Sequence, residues 1–259
     1  MRIYAVSDLH ADFKANRLLV EEVSSVEYRR DALLVAGDIA DRLETIEETL
    51  SLLCSKFSKL FYMPGNHELW VRGVDYDSLE KLSRVIEICD RLGVQTRPAR
   101  AGRLWIVPLY SWYEAAFDAD ESADVEELEA WADFYFCRWP ESIKSVSDYF
   151  IELNAQRIKN YDGPVISLSH FLPRRDLLPE TTDLKFKGLP RVSGSERLEE
   201  QIRELNSIAH VFGHSHINRD VMLDGVRYVQ NALRYPAERK DAPFSFKQVW
   251  PLAEPDAET

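Results

Sequence analysis

Phe61-Tyr62-Met63-Pro64-Gly65-Asn66-His67-Glu68 is an apolar run, a Pro-Gly turn and then three polar side chains in succession. The run reads as a buried strand and the turn as its abrupt end. An amide oxygen, an imidazole and a carboxylate at one strand end exceed what packing requires. The same arrangement recurs along the chain. Ile3-Tyr4-Ala5-Val6 leads into Ser7-Asp8-Leu9-His10, Ala32-Leu33-Leu34-Val35-Ala36 into Gly37-Asp38, and Val165-Ile166-Ser167-Leu168 into Ser169-His170. Ile208-Ala209-His210-Val211-Phe212 leads into Gly213-His214-Ser215-His216. Five of the six histidines fall at such ends, which implies one shared site.

Outward from these strands the pattern switches to helix. Helices are expected over 13–26, 43–57 and 76–92. The last carries Leu79, Leu82, Val85, Ile86 and Cys89 at i, i+3, i+4 spacing, with Gly93 as its C-cap. Asp12 is expected to cap the first. Residues 32–36 are apolar without alternation, as in a parallel strand covered on both faces. With strands at 59–63 and 104–107, the β-α-β-α-β-α-β order implies a parallel, doubly wound core. Further on, Ser193 or Ser195 caps a helix running to about 206. Asp224-Gly225 joins two strands in a hairpin. The whole, 1–259, fits one α/β domain with an insertion at about 111–162. That insertion has nine acidic residues and no lysine or arginine between Glu114 and Asp133, and it is rich in aromatics. It reads as helical, acidic outside and aromatic inside, either a packed decoration or a cap over one side of the site. The segment after Pro251 reads as a frayed tail.

The net charge of −12 opposes broad binding to nucleic acid or to an anionic membrane. Cys54, Cys89 and Cys137 are widely spaced and odd in number, so they read as free thiols rather than a disulfide framework. Asp8 and His10 interrupt any signal-like apolar core, and no run approaches the roughly 20 apolar residues of a membrane span. A cytoplasmic protein is expected.

Asp8, His10, Asp38, Asn66, His67, His170, His214 and His216 offer oxygen and imidazole donors without a thiolate. Such a set suits manganese, iron, zinc or magnesium. On an extended segment, residues two apart point the same way, so Asp8 with His10 and His214 with His216 can each act from one loop. In open α/β sheets, ligands collect beyond the carboxyl ends of the strands. His210, in mid-strand, reads as structural.

Asp8-x-His10, Gly37-Asp38-x-x-Asp41, Gly65-Asn66-His67-Glu68, His170 and Gly213-His214-x-His216 together resemble the five motifs of the calcineurin-like metallophosphoesterase superfamily. The resemblance implies a four-layer α/β/β/α sandwich around two divalent metal ions, manganese first among the candidates. It implies that Asp8, His10 and His216 hold one ion, that Asn66, His170 and His214 hold the other, and that Asp38 bridges them. His67 would stand beside the ions without binding them and protonate the leaving group. Asp41 would either orient a ligating histidine or cap the next helix.

The reaction so implied is hydrolysis of a small phosphomonoester or phosphodiester, with nucleotide-like compounds among the candidates, by in-line attack of a metal-bridging hydroxide. A metallonuclease and a non-catalytic scaffold are the alternatives; the acidic balance opposes the first and the full ligand set opposes the second. Arg42 follows Asp41 as an arginine does in the family's protein Ser/Thr phosphatases. Those enzymes also carry an arginine where this chain has Pro64, and glycine where it has Ala11, so half of a phosphate clamp is missing. Arg174, Arg175 and Arg234 are further candidates for a phosphate contact, and the Arg234-Tyr235-Pro236 turn beyond the hairpin is a candidate for base stacking or a phosphate contact. Oligomeric state stays open, the insertion serving equally as lid or as interface.

Overall fold

The computed structural model describes residues 1–118, 128–239 and 244–251. The acidic run over 119–127 and the tail from 252 lie outside the described residues. Ile3–Val6 (β1), Ala32–Ala36 (β2) and Lys59–Met63 (β3) form parallel ladders. Every residue of β2 is buried because both of its faces are covered. Side chains alternate along a strand, and that alternation sorts these three strands into two interfaces. Ile3, Ala5, Ala32, Leu34, Ala36, Phe61 and Met63 face a layer shared with a second sheet. Tyr4, Val6, Leu33, Val35, Leu60 and Tyr62 face helices. The helices over them are Lys14–Glu22 (α1), Leu43–Lys56 (α2) and Ser78–Leu92 (α3), which contribute Val20, Ile46, Leu50, Leu53, Val85 and Cys89.

The second sheet comprises Ala99–Ala101 (β4), Leu104–Pro108 (β5), Val165–Leu168 (β6), Ser207–Phe212 (β7), Arg219–Leu223 (β8) and Val226–Gln230 (β9), in the order β4-β5-β6-β7-β9-β8. Lys247–Trp250 (β10) completes the first sheet as β10-β1-β2-β3, antiparallel to β1. Leu104, Ile106, Ile166, Leu168, Ala209 and Val211 meet the inward residues of the first sheet. Two short helices, Asp133–Phe136 (α4) and Val146–Leu153 (α5), lie in the insertion. Glu196–Glu204 (α6) covers the outer face of the second sheet with Leu198 and Ile202, against Val107, Val165, Phe212 and Tyr228. Helix, sheet, sheet and helix make the four layers that the resemblance implies.

Several local readings change. The alternating strands and helices do not build one doubly wound sheet. After α3 the chain crosses to the second sheet, where β5 pairs antiparallel with β4 and parallel with β6. Three- and four-residue strands such as β4 and β10 are too short to show a period. The first helix stops at Glu22 rather than at 26, since Ser24 Oγ accepts from Val26 and Glu27 N–H and offers the backbone another partner. Asp12 caps no helix. Its carboxylate takes the Asp41 N–H at 2.9 Å, and Phe13 stands at the N-cap position. Ser195 sits before α6 but donates to Glu114 Oε1 at 2.7 Å instead of capping. Within the insertion Trp112 and Phe117 are buried, whereas Phe134 and Tyr135 are exposed, because the single turn of α4 directs Asp133 inward. The three cysteines are free thiols. Among the described residues no helix is long and apolar enough to cross a membrane.

His210 is fully buried on β7, bonded to Ser167 Oγ at 2.8 Å and Ser169 Oγ at 3.0 Å. Burial pushes its pKa from 6.5 down to about 3. The unfolded chain therefore binds a proton there that the folded chain refuses. This group's effect on stability is absent above about pH 6.5 and grows unfavourably as pH falls toward 3, by up to about 1.4 kcal/mol per pH unit. Denaturant titrations between pH 7 and 4.5 should show a steeper acid loss in the natural chain than in His210→Gln. The difference isolates this residue, because every other titrating group is common to both.

Candidate metal centre

The carboxyl ends of β1, β2, β3, β6 and β7 meet at one edge, and the chain turns sharply beyond each. Among the described residues eight non-glycine residues have positive φ, and five of them are candidate ligands: Asp8, His10, Asp38, His214 and His216. Asp8 and His10 are thus not extended. They converge through left-handed backbone, and the turns are laced together. Asp8 N–H donates to Gly37 O at 3.0 Å and His10 N–H to Asp38 O at 3.0 Å, while His214 N–H donates to Asp8 Oδ1 at 2.9 Å. Two glycines let the loops approach. A Cβ on Gly37, where φ is +78°, would lie 2.3 Å from His170 Nδ1, and one on Gly65 would lie 2.3 Å from Asp38 Oδ1.

Glu68 closes the arrangement. Fully buried, its carboxylate accepts from the N–H groups of Asp38 (3.0 Å), Ile39 (2.5 Å), Ala40 (3.3 Å) and Gly65 (2.6 Å). One side chain therefore ties the turn after β2 to the turn after β3. The sequence pattern gave Glu68 no task of its own, because three of its four partners are backbone groups 28 to 30 residues upstream.

Asp8, His10 and His216 form one group able to hold a metal ion, and Asp38, His170 and His214 form another. In the first, His10 Nε2 lies 3.0 Å from His216 Nε2, and His216 Nε2 lies 3.5 Å from Asp8 Oδ1. In the second, Asn66 Oδ1 lies 3.0 Å from His170 Nε2 and 3.2 Å from His214 Nδ1, with Asp38 Oδ2 3.4 Å from His170 Nε2. His214 and His216, only two residues apart, serve different groups. His67 also reaches Asp38 and His10 as a third group.

The donor set fits divalent cations. Neutral imidazole binds metal through one nitrogen while the other is fixed by an acceptor. His170 Nδ1 meets Ala36 O at 2.9 Å, His214 Nε2 meets Val192 O at 2.9 Å and His216 Nδ1 meets Glu238 Oε2 at 2.6 Å. Each leaves its other nitrogen aimed into a cluster. The field of the site also favours positive charge. Burial opposes a proton on His170, yet the Asp38 carboxylate raises its pKa to about 9; for His216, burial is outweighed by Asp8 and Glu238, to about 10. Burial leaves His10 and His214 neutral, near 3.

His67 stacks on Trp70 at 3.6 Å between ring centroids, and its Nε2 lies 3.1 Å from the Tyr235 hydroxyl. Tyr235 in turn stacks on His10 at 4.2 Å. Trp70, Glu238 and Asp133 are site residues that sequence reading missed, since none lies at a strand end. Tyr235 was signalled by the Arg234-Tyr235-Pro236 turn after the hairpin. Arg234 itself adopts φ 73° and donates its N–H to Asp8 O at 3.0 Å, so its backbone braces the loop.

The other arginines are placed differently. Arg174 is held by Asp176 (2.6 Å), Asp224 (2.7 Å) and Glu199 (3.5 Å). Arg175 donates to Pro179 O and Thr181 Oγ1 and lies 3.6 Å from Asp118. These are surface ion pairs and loop contacts, and none is with the histidine cluster. Arg42 is exposed, 3.9 Å from Glu44, and lines a cleft of about 190 Å³ with Asp41, Trp70, Arg72 and Lys81. Asp41 meets Arg72 at 3.5 Å rather than a histidine, and Arg42 rather than Asp41 stands at the N-cap of α2.

The family model of the calcineurin-like phosphoesterases matches residues 1–218. The chain belongs to that family, and it is a phosphoester hydrolase with a divalent metal centre. The protein PptH of Mycobacterium tuberculosis, an [acyl-carrier-protein] phosphodiesterase, is 31% identical over a 278-residue alignment covering 96% of this chain and 83% of that protein. The crystal structure of phosphopantetheinyl hydrolase (PptH) from the same organism superposes with a TM-score of 0.81 at 25% identity, covering 96% of each chain. These likenesses support the phosphoesterase reading and not the nuclease alternative.

Replacing Glu68 by Ala leaves four buried N–H groups without their acceptor. It should cost about 3 kcal/mol or more in denaturant stability and reduce bound metal per chain, measured by elemental analysis after dialysis. Glu68→Gln, which keeps one acceptor oxygen, should lose less of both.

Proposed function

We propose that this chain is a phosphodiesterase that releases a phosphopantetheinyl group from an acyl carrier protein. The observation that carries the proposal is its likeness, over 96% of its length, to a relative named for that activity. The substrate is then a prosthetic group on a carrier protein rather than a free small phosphoester. The three free thiols accord with a reducing, cytoplasmic setting.

In this proposal Asp8, His10 and His216 hold one ion and Asn66, His170 and His214 the other, with Asp38 between them. Manganese is the first candidate on the oxygen and imidazole donor set, with iron, zinc and magnesium after it. When bound, the pair of cations supplies an activated water nucleophile and neutralises charge on the phosphoryl oxygens.

The chain's own residues do the rest. His67 has its backbone N–H on Asp38 Oδ1 at 3.1 Å and its ring against Trp70, and its Nε2 meets the Tyr235 hydroxyl. A leaving oxygen arriving at that nitrogen receives the His67 proton. Tyr235 supports the ring until the substrate displaces or shares its bond. Arg42 and Arg72 share the cleft beside Trp70, where Arg72 lies over the indole at 4.6 Å. They supply positive charge for an acidic carrier surface.

The decisive experiment incubates a holo acyl carrier protein with the enzyme and manganese and reads intact mass. Conversion to the apo carrier is the expected result. A carrier left intact while a simple chromogenic diester is hydrolysed would point to another diester. His67→Ala should slow release from the carrier, whose alkoxide leaving group needs a proton, by about 10²–10⁴-fold. The same variant should hydrolyse a p-nitrophenyl diester, whose leaving group needs no proton, at close to the natural rate.

A further inference from the structure

Asp133 lies in the insertion, on the single turn α4, and is 2% exposed. Its Oδ1 accepts from Asn66 Nδ2 at 2.8 Å and from Trp70 Nε1 at 2.6 Å, and its Oδ2 accepts from Trp131 Nε1 at 2.8 Å. A carboxylate buried among an amide and two indoles is costly unless its hydrogen bonds are worth the desolvation. Burial indeed raises its pKa, against the pull of those three donors. The arrangement has one chemical effect that a packing role does not require.

An asparagine amide has two nearly isosteric orientations, of which only one presents oxygen to a cation. With Nδ2 on Asp133, Asn66 Oδ1 faces His170 Nε2 and His214 Nδ1. The flipped amide would set its oxygen against a carboxylate and turn a hydrogen-bearing nitrogen toward the cluster. Asp133 disfavours that state through the first of these, the oxygen–carboxylate repulsion. Trp131, beside it, also reaches the cluster, with its ring 5.9 Å from His214 in an edge contact.

We propose that Asp133 is a positioning residue for the metal centre: it fixes the amide of Asn66 with oxygen toward the ion, and through it the insertion forms part of the centre rather than a separate cap. Asn66 and Asp133 are 67 residues apart in the chain. The insertion thus supplies a group that the strand-end loops do not.

The test is manganese binding by the chelator-stripped full chain, followed by equilibrium dialysis, which needs no substrate and so stands apart from the carrier-protein proposal. Asp133→Ala should weaken one of two sites by about ten- to a hundred-fold and leave the other unchanged. In an Asn66→Ala background, the same Asp133→Ala change should bring no further loss, because its effect passes through the Asn66 amide. Unchanged affinity in Asp133→Ala overturns the proposal. So does an equal loss in both backgrounds, which a merely structural tie would give. If Asp133→Ala fails to fold, Asp133→Asn run through the same cycle is expected to give a smaller loss that is again confined to the Asn66 background. A loss independent of Asn66 overturns the proposal there as well.

Discussion

Two aspartates, Asp8 and Asp38, are buried to the last few per cent at one edge of the molecule. Negative charge in such a place needs positive charge close by. The field shows in the imidazoles: Asp38 raises the pKa of His170 to about 9, Asp8 and Glu238 raise that of His216 to about 10, and burial lowers those of His10 and His214 to about 3. A pair of divalent ions meets that need and lets every imidazole act as a neutral donor. Ala36 O, Val192 O and Glu238 stand against the outer ring nitrogens of His170, His214 and His216.

That concentration of charge is held by backbone in an unfavourable shape. Left-handed φ at a non-glycine residue costs of order 1 kcal/mol or more, and five candidate ligands adopt it. The strain persists because neighbouring turns supply each other's hydrogen bonds, and because Glu68 gathers four N–H groups from two turns. Much of the fold's apolar packing, on both faces of the first sheet, is in this sense what keeps a strained edge in shape. The same turns carry the donors, so relaxing the strain would disperse the site.

The strand-end cluster was legible as a candidate site because an apolar run that stops at Asp, Asn or His is a local pattern. The four layers were legible only through family resemblance. Periodicity shows that β2 is covered on both faces but not that one cover is a second sheet, and it reads β5 as continuing the first. Asp133, Glu238 and Trp70 were illegible for a different reason. Each meets its partner across a tertiary contact, and an aromatic or acidic residue in a loop has no spacing that announces it. Arg174 and Arg175 stood out as basic residues after a ligand, but nothing local revealed Asp176, Asp224 and Glu199 as the groups that engage Arg174.

The first sheet supplies Asp8, His10, Asp38 and Asn66, and the second supplies His170, His214 and His216. Neither cluster is complete within one sheet, since Asp8 and His10 require His216, and Asp38 requires His170 and His214. During synthesis these two clusters are therefore unfinished until His214 has emerged for one and His216 for the other, and the two sheets have closed on each other. From then on, ion affinity adds to the free energy of sheet docking, because only the docked form binds. An ion so held acts as a rivet between two halves made at different times.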